Sequence, residues 1–382
     1  EYPTAHIDFV NQKHSITSTL NHKFSSRHNN RTGFAVNSLH SNTLLQHAPV
    51  PGEPLLTTAR VNTRTMLYRF FTQSKFTLAT KFKLNAGIHS QYFALNEEFI
   101  AEPRVGVTYQ VSNRHALSLA YGKHSRLEPL SIYFARVETG KAYETPNENL
   151  RLSKAHHFVL AYDLSLNQHH RLKIEPYLQL LYDVPVIQDS SYSTINMEAD
   201  WFFTEKLNNS GTGNNLGMDV TLERFLHRGF YYLVTASLFN SNYTGGDGVE
   251  RNSRFNSNYV FNALFGKEWV LGAAKNRILG INGRLNVLGG QRTIPVDEDL
   301  SHRYGKLIYD YSRAFEAQKP MVYYLNASIN YRINKKQHSS IWSLQVMNLL
   351  GSEEHYGYRY NYRSDAIEED AVAVVVPSIS YK

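Results

Sequence analysis

Arg171-Leu172-Lys173-Ile174-Glu175-Pro176-Tyr177-Leu178-Gln179-Leu180-Leu181-Tyr182 changes character at almost every step. Leu172, Ile174, Pro176, Leu178, Leu180 and Tyr182 fall on one side of an extended chain, and Arg171, Lys173, Glu175, Tyr177 and Gln179 on the other. Side chains of a strand point alternately to opposite faces, so this ribbon has one apolar face and one charged face.

Working outward, the same alternation recurs on both sides. In Pro103–Val111, Val105, Val107, Tyr109 and Val111 oppose Arg104, Gly106, Thr108 and Gln110. In Leu216–Glu223, Leu216, Met218, Val220 and Leu222 oppose Asp219, Thr221 and Glu223. Leu279, Ile281, Leu285 and Val287 oppose Asn282, Arg284 and Asn286, and Tyr323, Leu325, Ala327, Ile329 and Tyr331 oppose Asn326, Ser328, Asn330 and Arg332. No charged residue falls on the apolar face of any of these segments.

The separators alternate in length. Short polar turns at Ser112-Asn113-Arg114, Asn167-Gln168-His169, His227-Arg228-Gly229, Ala273-Ala274-Lys275-Asn276 and Lys335-Lys336-Gln337 each join two such segments as a hairpin does. Long polar stretches intervene at Ser125–Leu150, Ile187–Asn214, Tyr243–Arg254, Gly290–Lys319 and Gly351–Glu369. Short turns on one side and long loops on the other mark outer-membrane barrels. The count is about fifteen strands, each covering the ~9–11 residues that a tilted membrane strand needs. Soluble strands run about 5–6 residues. The reading is therefore all-β, a transmembrane antiparallel β-barrel with the apolar faces against lipid. Aromatics near strand ends (Tyr92-Phe93, Phe230-Tyr231-Tyr232, Trp269, Tyr323-Tyr324, Trp342 and Tyr381) are expected to form the interfacial girdle.

Composition agrees. Only 19% of residues are charged, 13% are aromatic, and mean hydropathy is −0.42, far too polar for a helical membrane protein. No stretch approaches the roughly 18 apolar residues of a spanning helix. The formal charge of +7 comes from basic residues that look scattered along the chain, which suits solvated loops and a charged lumen and gives no nucleic-acid footprint. With no cysteine, disulfides and thiolate metal sites are excluded. The start, Glu1-Tyr2-Pro3-Thr4, has neither the basic region nor the apolar core of a signal peptide, so an export signal would lie upstream.

An ordered series of short pieces resembles the C-terminal barrel of a Bacteroidetes-type TonB-dependent outer-membrane receptor. It runs through Glu102-Pro103-Arg104-Val105-Gly106, Leu127-Glu128-Pro129-Leu130, Glu175-Pro176-Tyr177 and Tyr182-Asp183-Val184-Pro185-Val186. It continues through Asn214-Asn215-Leu216-Gly217-Met218-Asp219, Leu222-Glu223, Arg251-Asn252, Phe255-Asn256 and Gly266-Lys267-Glu268-Trp269. It ends with Gly289-Gly290-Gln291-Arg292, Pro295-Val296-Asp297, Met347-Asn348-Leu349 and Pro377-Ser378-Ile379-Ser380-Tyr381-Lys382. The resemblance implies a 22-strand barrel whose lumen is filled by a globular plug. On that reading residues 1–382 are a partial barrel, without plug, energy-coupling box or signal peptide, and without room for the first strands. It further implies partners: outer-membrane lipid, the chain's own plug, the TonB energy-transducing complex reached through the N-terminal part, an imported ligand and a surface lipoprotein.

Candidate residues divide into two groups. Arg104, Asp163, Arg171, Lys173, Glu175, Asp219, Glu223, Glu268, Arg284 and Arg332 are assigned to the lumen wall. Tyr133, Phe134, Arg136, Tyr143, Trp201, Phe202, Tyr243, Tyr304, Tyr309, Tyr356, Tyr358 and Tyr360 lie in the long loops; rings of this kind can stack on sugars or flat chelates. Of these, Tyr133, Arg136, Tyr143, Trp201, Phe202, Tyr243, Tyr356 and Tyr358 are the ligand-binding candidates. His156-His157 and His169-His170 would each point to opposite faces and chelate poorly. Gly245-Gly246-Asp247-Gly248 reads as a plain turn sooner than a calcium loop. No nucleophile motif, metal site or cofactor fingerprint stands out, so an enzyme is not expected. An energy-coupled importer is the leading function, with siderophore, cobalamin, oligosaccharide and peptide all open as ligands. A passive porin or a non-transporting adhesion barrel is the alternative.

Overall fold

The computed structural model describes residues 5–48, 53–134, 137–139, 142–197 and 205–382. Among them no helix is long and apolar enough to cross a membrane. The strands in chain order are β1 (Ala5–Ser25), β2 (His28–His47), β3 (Leu56–Ala79), β4 (Phe82–Phe93), β5 (Glu98–Gln110), β6 (His115–Arg126), β7 (Val137–Thr139) and β8 (Ala142–Glu144). There follow β9 (Ser153–Ser165), β10 (His170–Ile187), β11 (Leu207–His227), β12 (Phe230–Thr244), β13 (Glu250–Asn252), β14 (Tyr259–Leu271) and β15 (Arg277–Leu288). The last are β16 (Arg292–Thr293), β17 (Ala317–Gln318), β18 (Val322–Asn334), β19 (Ser339–Met347), β20 (Glu353–Asn361), β21 (Ala366–Ala373) and β22 (Val376–Tyr381). Two short helices, α1 (Leu130–Phe134) and α2 (Glu298–Tyr304), sit in loops.

Fifteen of these strands form one continuous antiparallel path, β1-β2-β3-β4-β5-β6-β9-β10-β11-β12-β14-β15-β18-β19-β22. Every step is a neighbour in sequence once the loop hairpins are set aside, as in an up-and-down wall. Register decides what each face carries. Ile281, Ile329, Leu344 and Ile379 stand in one row across four strands, and all four are exposed. The adjacent row is Asn282, Ser328, Gln345 and Ser378. A slip of one residue would exchange those faces throughout, so the amphipathic pattern fixes the register. Leu178 lies between Phe158 and Leu216, again on the outer face. Among the described residues nothing packs over Leu216, Leu238, Ile281 and Leu344, which are all exposed, and that is tenable where the medium is hydrocarbon.

The turns at 26–27, 80–81, 111–114, 166–169, 228–229, 272–276 and 335–338 lie at one rim, and the long loops at the other. Strands β1 to β3 run to 21, 20 and 24 residues, well past the ~9–11 that span a bilayer. Residues 207–214, expected as loop, extend β11 toward the long-loop rim instead and pair with both neighbours.

The girdle is refined by alternation. Trp269, Leu279, Tyr331, Trp342 and Tyr381 form one outward row near the short turns, and the Trp342 and Tyr381 rings lie 4.5 Å apart. Tyr68, Tyr92 and Phe99 form the corresponding outward set toward the loops. Of each adjacent aromatic pair only one member can face lipid. Phe93, Tyr231 and Tyr324 therefore turn inward, a correction to the expectation that whole clusters belong to the girdle. Phe93 is fully buried among loop residues, and the Tyr231 hydroxyl donates to Asn282 Oδ1 at 2.8 Å.

Candidate functional site

The inner face is a polar wall. Arg104, Arg171, Glu175, Asp219, Glu223, Glu268 and Arg284 all fall on the inward register. Arg171 donates through Nε to both carboxylate oxygens of Asp163, at 3.0 and 3.1 Å, and faces Glu223 across the β10–β11 pair. Lys173 pairs with Glu175 at 2.6 Å, and Glu175 stands directly opposite Asp219. These carboxylates border a cavity of about 730 Å³ with Tyr177, Gln179, Asn215 and Ser237. Farther along the wall amides and hydroxyls stand among the charges Glu268 and Arg284. Asn282 donates to Ser328 at 3.2 Å, Ser343 to Asn330 at 2.5 Å, and Asn262 to Thr235 at 3.2 Å.

One inward carboxylate was not among the candidates. Glu102 is 1% exposed and collects donors from four directions: His89 Nδ1 at 2.7 Å, Arg104 at 3.0 Å, Gln91 at 3.1 Å and the Ser125 backbone N–H at 2.8 Å. A buried charge is tolerable only when paired and hydrogen-bonded in this way. The sequence carried a signal for it, because Glu102 and Arg104 are two apart on one strand and so share a face.

The His156-His157 pair splits across the sheet, whereas His169 lies in a turn and stacks on His227. His156 stacks outward between Tyr121 and Tyr182, while the His157 ring turns to His124, 4.5 Å away. Among the described residues no group of three or more His, Cys, Asp or Glu side chains could hold a metal.

At the loop rim two clusters of aromatic and aliphatic side chains form a mouth. In the first, Ile132, Tyr133 and Phe134 of α1 pack with Leu67, Phe93 and Ile100 of the wall and with Leu150, Leu152 and Leu207. Tyr133 is fully buried, edge-on to Phe93 at 5.3 Å, and burial pushes its hydroxyl well above the usual phenol range. Tyr192, beside this cluster, is pushed up to about 12, again by burial. In the second cluster Tyr243 is fully buried against Phe315, and its hydroxyl donates to the Ser191 carbonyl at 2.8 Å. Tyr133 and Tyr243 thus hold loops together and present no surface to a ligand, because a ring is driven into the nearest apolar contact when neighbouring loops supply one. Arg136, Trp201 and Phe202 lie outside the described residues, and Tyr143 is described only as part of β8.

Tyr356 and Tyr358 remain at the surface. With Arg254, Arg292, Lys319 and Tyr309 they line a cavity of about 430 Å³ between the 289–321 loop and the β20–β21 hairpin. The walls are braced. Arg292 donates to the Asn256 carbonyl at 3.2 Å and to Asn258 Oδ1 at 3.0 Å, and Lys319 Nζ donates to the Tyr356 carbonyl at 3.0 Å. Gly290 lets the two arms of the loop touch, since a Cβ there would lie 1.6 Å from the Lys319 carbonyl oxygen. Ser191 donates to the Tyr311 carbonyl at 3.0 Å, linking a third loop. The 245–248 segment is a turn, closed by Gly248 N–H on the Gly245 carbonyl at 3.2 Å with Gly248 at φ +72°. Its Asp247 carboxylate is taken by Arg251 at 2.8 Å, whose hydrogen bond holds that carboxyl below the usual aspartate range. Three cations and one carboxylate, Glu354, line it together with several tyrosines, so its formal balance is cationic. Arg254, Arg292 and Lys319 were not among the candidates, because one cation in a long loop carries no spacing signal.

An amphipathic antiparallel wall with lipid-facing girdles, a polar inner face and a folded loop mouth has the architecture of an outer-membrane barrel. Among solved structures the chain is similar to the outer-membrane transporter YddB from Escherichia coli, at TM-score 0.63 and 10% identity over 98% of this chain and 54% of that one. It is similar to the ferric yersiniabactin uptake receptor FyuA from Yersinia pestis, at TM-score 0.63 and 10% identity over 99% of this chain and 55% of that one. It is similar also to P. aeruginosa FpvA bound to heterologous pyoverdines, at TM-score 0.65 and 11% identity over 99% and 48%. At such identities the likeness is one of fold. The chain spans about half the length of these structures. No family model matches the chain. No curated protein matches it either. The fold is that of an outer-membrane β-barrel wall.

Proposed function

We propose that the chain forms wall and mouth of a TonB-dependent receptor, of the Bacteroidetes type that its sequence resembles, importing a scarce anionic ligand with energy from the inner membrane. The observation that carries the reading is the cavity of Arg254, Arg292 and Lys319 among Tyr309, Tyr356 and Tyr358, set over a polar wall. Arg292 and Lys319, held by backbone carbonyls, and Arg254, lying over the Phe315 ring, are positioned before a ligand arrives, which lowers the ordering cost of binding. Tyrosine faces add stacking surface for a flat chelate. Of the open ligand classes this chemistry favours an anionic ferric chelate over a neutral oligosaccharide. A plug in the lumen would face the Arg171, Glu175, Asp219 and Glu223 stretch of wall, and a surface lipoprotein would cap the mouth. No catalytic step is assigned.

The test is uptake of iron-59-labelled ferric catecholate, citrate and hydroxamate by cells whose only ferric-chelate receptor is this protein. At least one chelate should be imported, an uncoupler should abolish its import, and Lys319→Ala should weaken its binding about ten-fold, equivalent to ~1.4 kcal/mol. Uncoupler-insensitive passage would establish the passive porin, and no passage of any chelate would remove the anionic-ligand reading.

A further inference from the structure

The basic residues that look scattered in sequence gather in space. Six of the seven turns of the short-turn rim carry Arg or Lys (Arg27, Lys81, Arg114, Arg228, Lys275 and the Lys335-Lys336 pair), and the seventh carries His169. None of the turn segments 26–27, 80–81, 111–114, 166–169, 228–229, 272–276 and 335–338 contains Asp or Glu. The arginines and lysines are exposed. No ion pair among the described residues involves them, whereas the loop rim is laced with such pairs, Asp247–Arg251, Arg313–Glu316 and Arg359–Glu368 among them. A row of outward aromatics, Trp269, Tyr331, Trp342 and Tyr381, lies a few residues from the turns 272–276 and 335–338.

Unpaired cations spaced turn by turn, just below an aromatic row at the membrane interface, match a ring of phosphates better than a single protein patch. A protein partner would be met by charges grouped on a few neighbouring turns. These run along the whole described wall. Long basic side chains at such a rim can lay their methylenes along the lipid and leave the charged head at phosphate level. We propose that the short-turn rim is a selective contact for anionic glycerophospholipid headgroups, which anchor the barrel at that leaflet. The proposal rests on the membrane-wall reading and not on what the barrel transports, so its failure would leave the import reading standing.

The two rim tryptophans supply the readout. The chain has three Trp, and Trp269 and Trp342 are exposed on the lipid face. In a Trp201→Phe background, the protein is reconstituted in phosphatidylcholine vesicles containing brominated phosphatidylglycerol or, separately, brominated phosphatidylcholine at the same mole fraction. Quenching should give the anionic lipid a relative association constant at least about two-fold higher, and the preference should fall as salt rises toward roughly 0.5 M. A variant carrying Lys81→Gln, Arg114→Gln, Arg228→Gln, Lys275→Gln, Lys335→Gln and Lys336→Gln should quench equally with both lipids, its fold checked by heat-modifiable gel mobility. Equal quenching in the parent overturns the proposal, and so does a preference that survives in the folded variant. Should the variant fail to insert, a parent preference indifferent to salt overturns it just as well. Salt-sensitive binding of the rim to an acidic soluble protein, without any lipid preference, would assign the ring to a protein partner instead.

Discussion

Tyr133 and Tyr358 are chemically identical and do opposite things, because one ring is surrounded and the other is not. Tyr133 is sealed by Phe93, Leu67 and Leu152, whereas Tyr358 stands 42% exposed beside the cationic cavity. Removing a buried aromatic ring costs about 3–5 kcal/mol. Tyr133→Ala should therefore loosen the 127–152 loop while leaving the wall intact. Limited trypsin digestion of the folded protein should cleave at Arg126 or Arg151 at least about ten-fold faster, with unchanged heat-modifiable mobility. Unchanged cleavage would mean that α1 is not held by this ring. Nothing in the sequence separates the two tyrosines. Both sit in polar loops with no period to read, and only the path of the wall beneath decides which one finds an apolar neighbour.

For the strands, in contrast, pattern and outcome agree residue by residue. Leu344 and Gln345 are adjacent in β19 and face different media: Leu344 joins the Ile281–Ile329–Ile379 row, and Gln345 lies between Ser328 and Ser378. Leu344→Arg should destabilise the barrel by about 2–4 kcal/mol if its row is near the bilayer midplane, and Gln345→Arg by less than about 1 kcal/mol. Urea titration of refolding into vesicles measures both, and equal costs would sink the assignment of faces. The alternation of 171–182 was legible because lipid on one side and polar lumen on the other impose a period of two with few exceptions. The strand path, short-turn rim and inward charges follow from that period. The extension of β1 to β3 above the membrane did not, since those residues continue the strand without continuing the apolar face. Glu102 shares a face with Arg104 in the sequence, but His89, the third member, comes from a neighbouring strand and is not legible there. The ring of turn cations was equally hidden. Hairpins return to one rim only after some tens of residues, so charges that are neighbours around the wall look isolated along the chain.

The two rims make the molecule polar along its axis, with braced loops and the cationic cavity at one end and bare basic turns at the other. Both proposed roles need that axis to point one way: loops outward, where a ligand arrives, and turns inward, toward the phospholipid leaflet and the energy source. Orientation is therefore the property on which the two readings stand together, and the sequence makes it simple to measure. There is no native cysteine, so a single introduced thiol is labelled against zero background. Ser364 lies in the turn joining β20 to β21, Gln337 in the turn joining β18 to β19, and both are exposed. Neither belongs to a wall strand or a packed cluster, so Ser364→Cys and Gln337→Cys should both fold. A membrane-impermeant maleimide applied to intact cells should label Ser364→Cys fully and Gln337→Cys hardly at all. Permeabilising the outer membrane should bring the second to the level of the first. The reverse order would place the basic rim outside and the cationic mouth facing the periplasm, and neither ligand capture at the surface nor phospholipid anchoring at the turns would then be tenable.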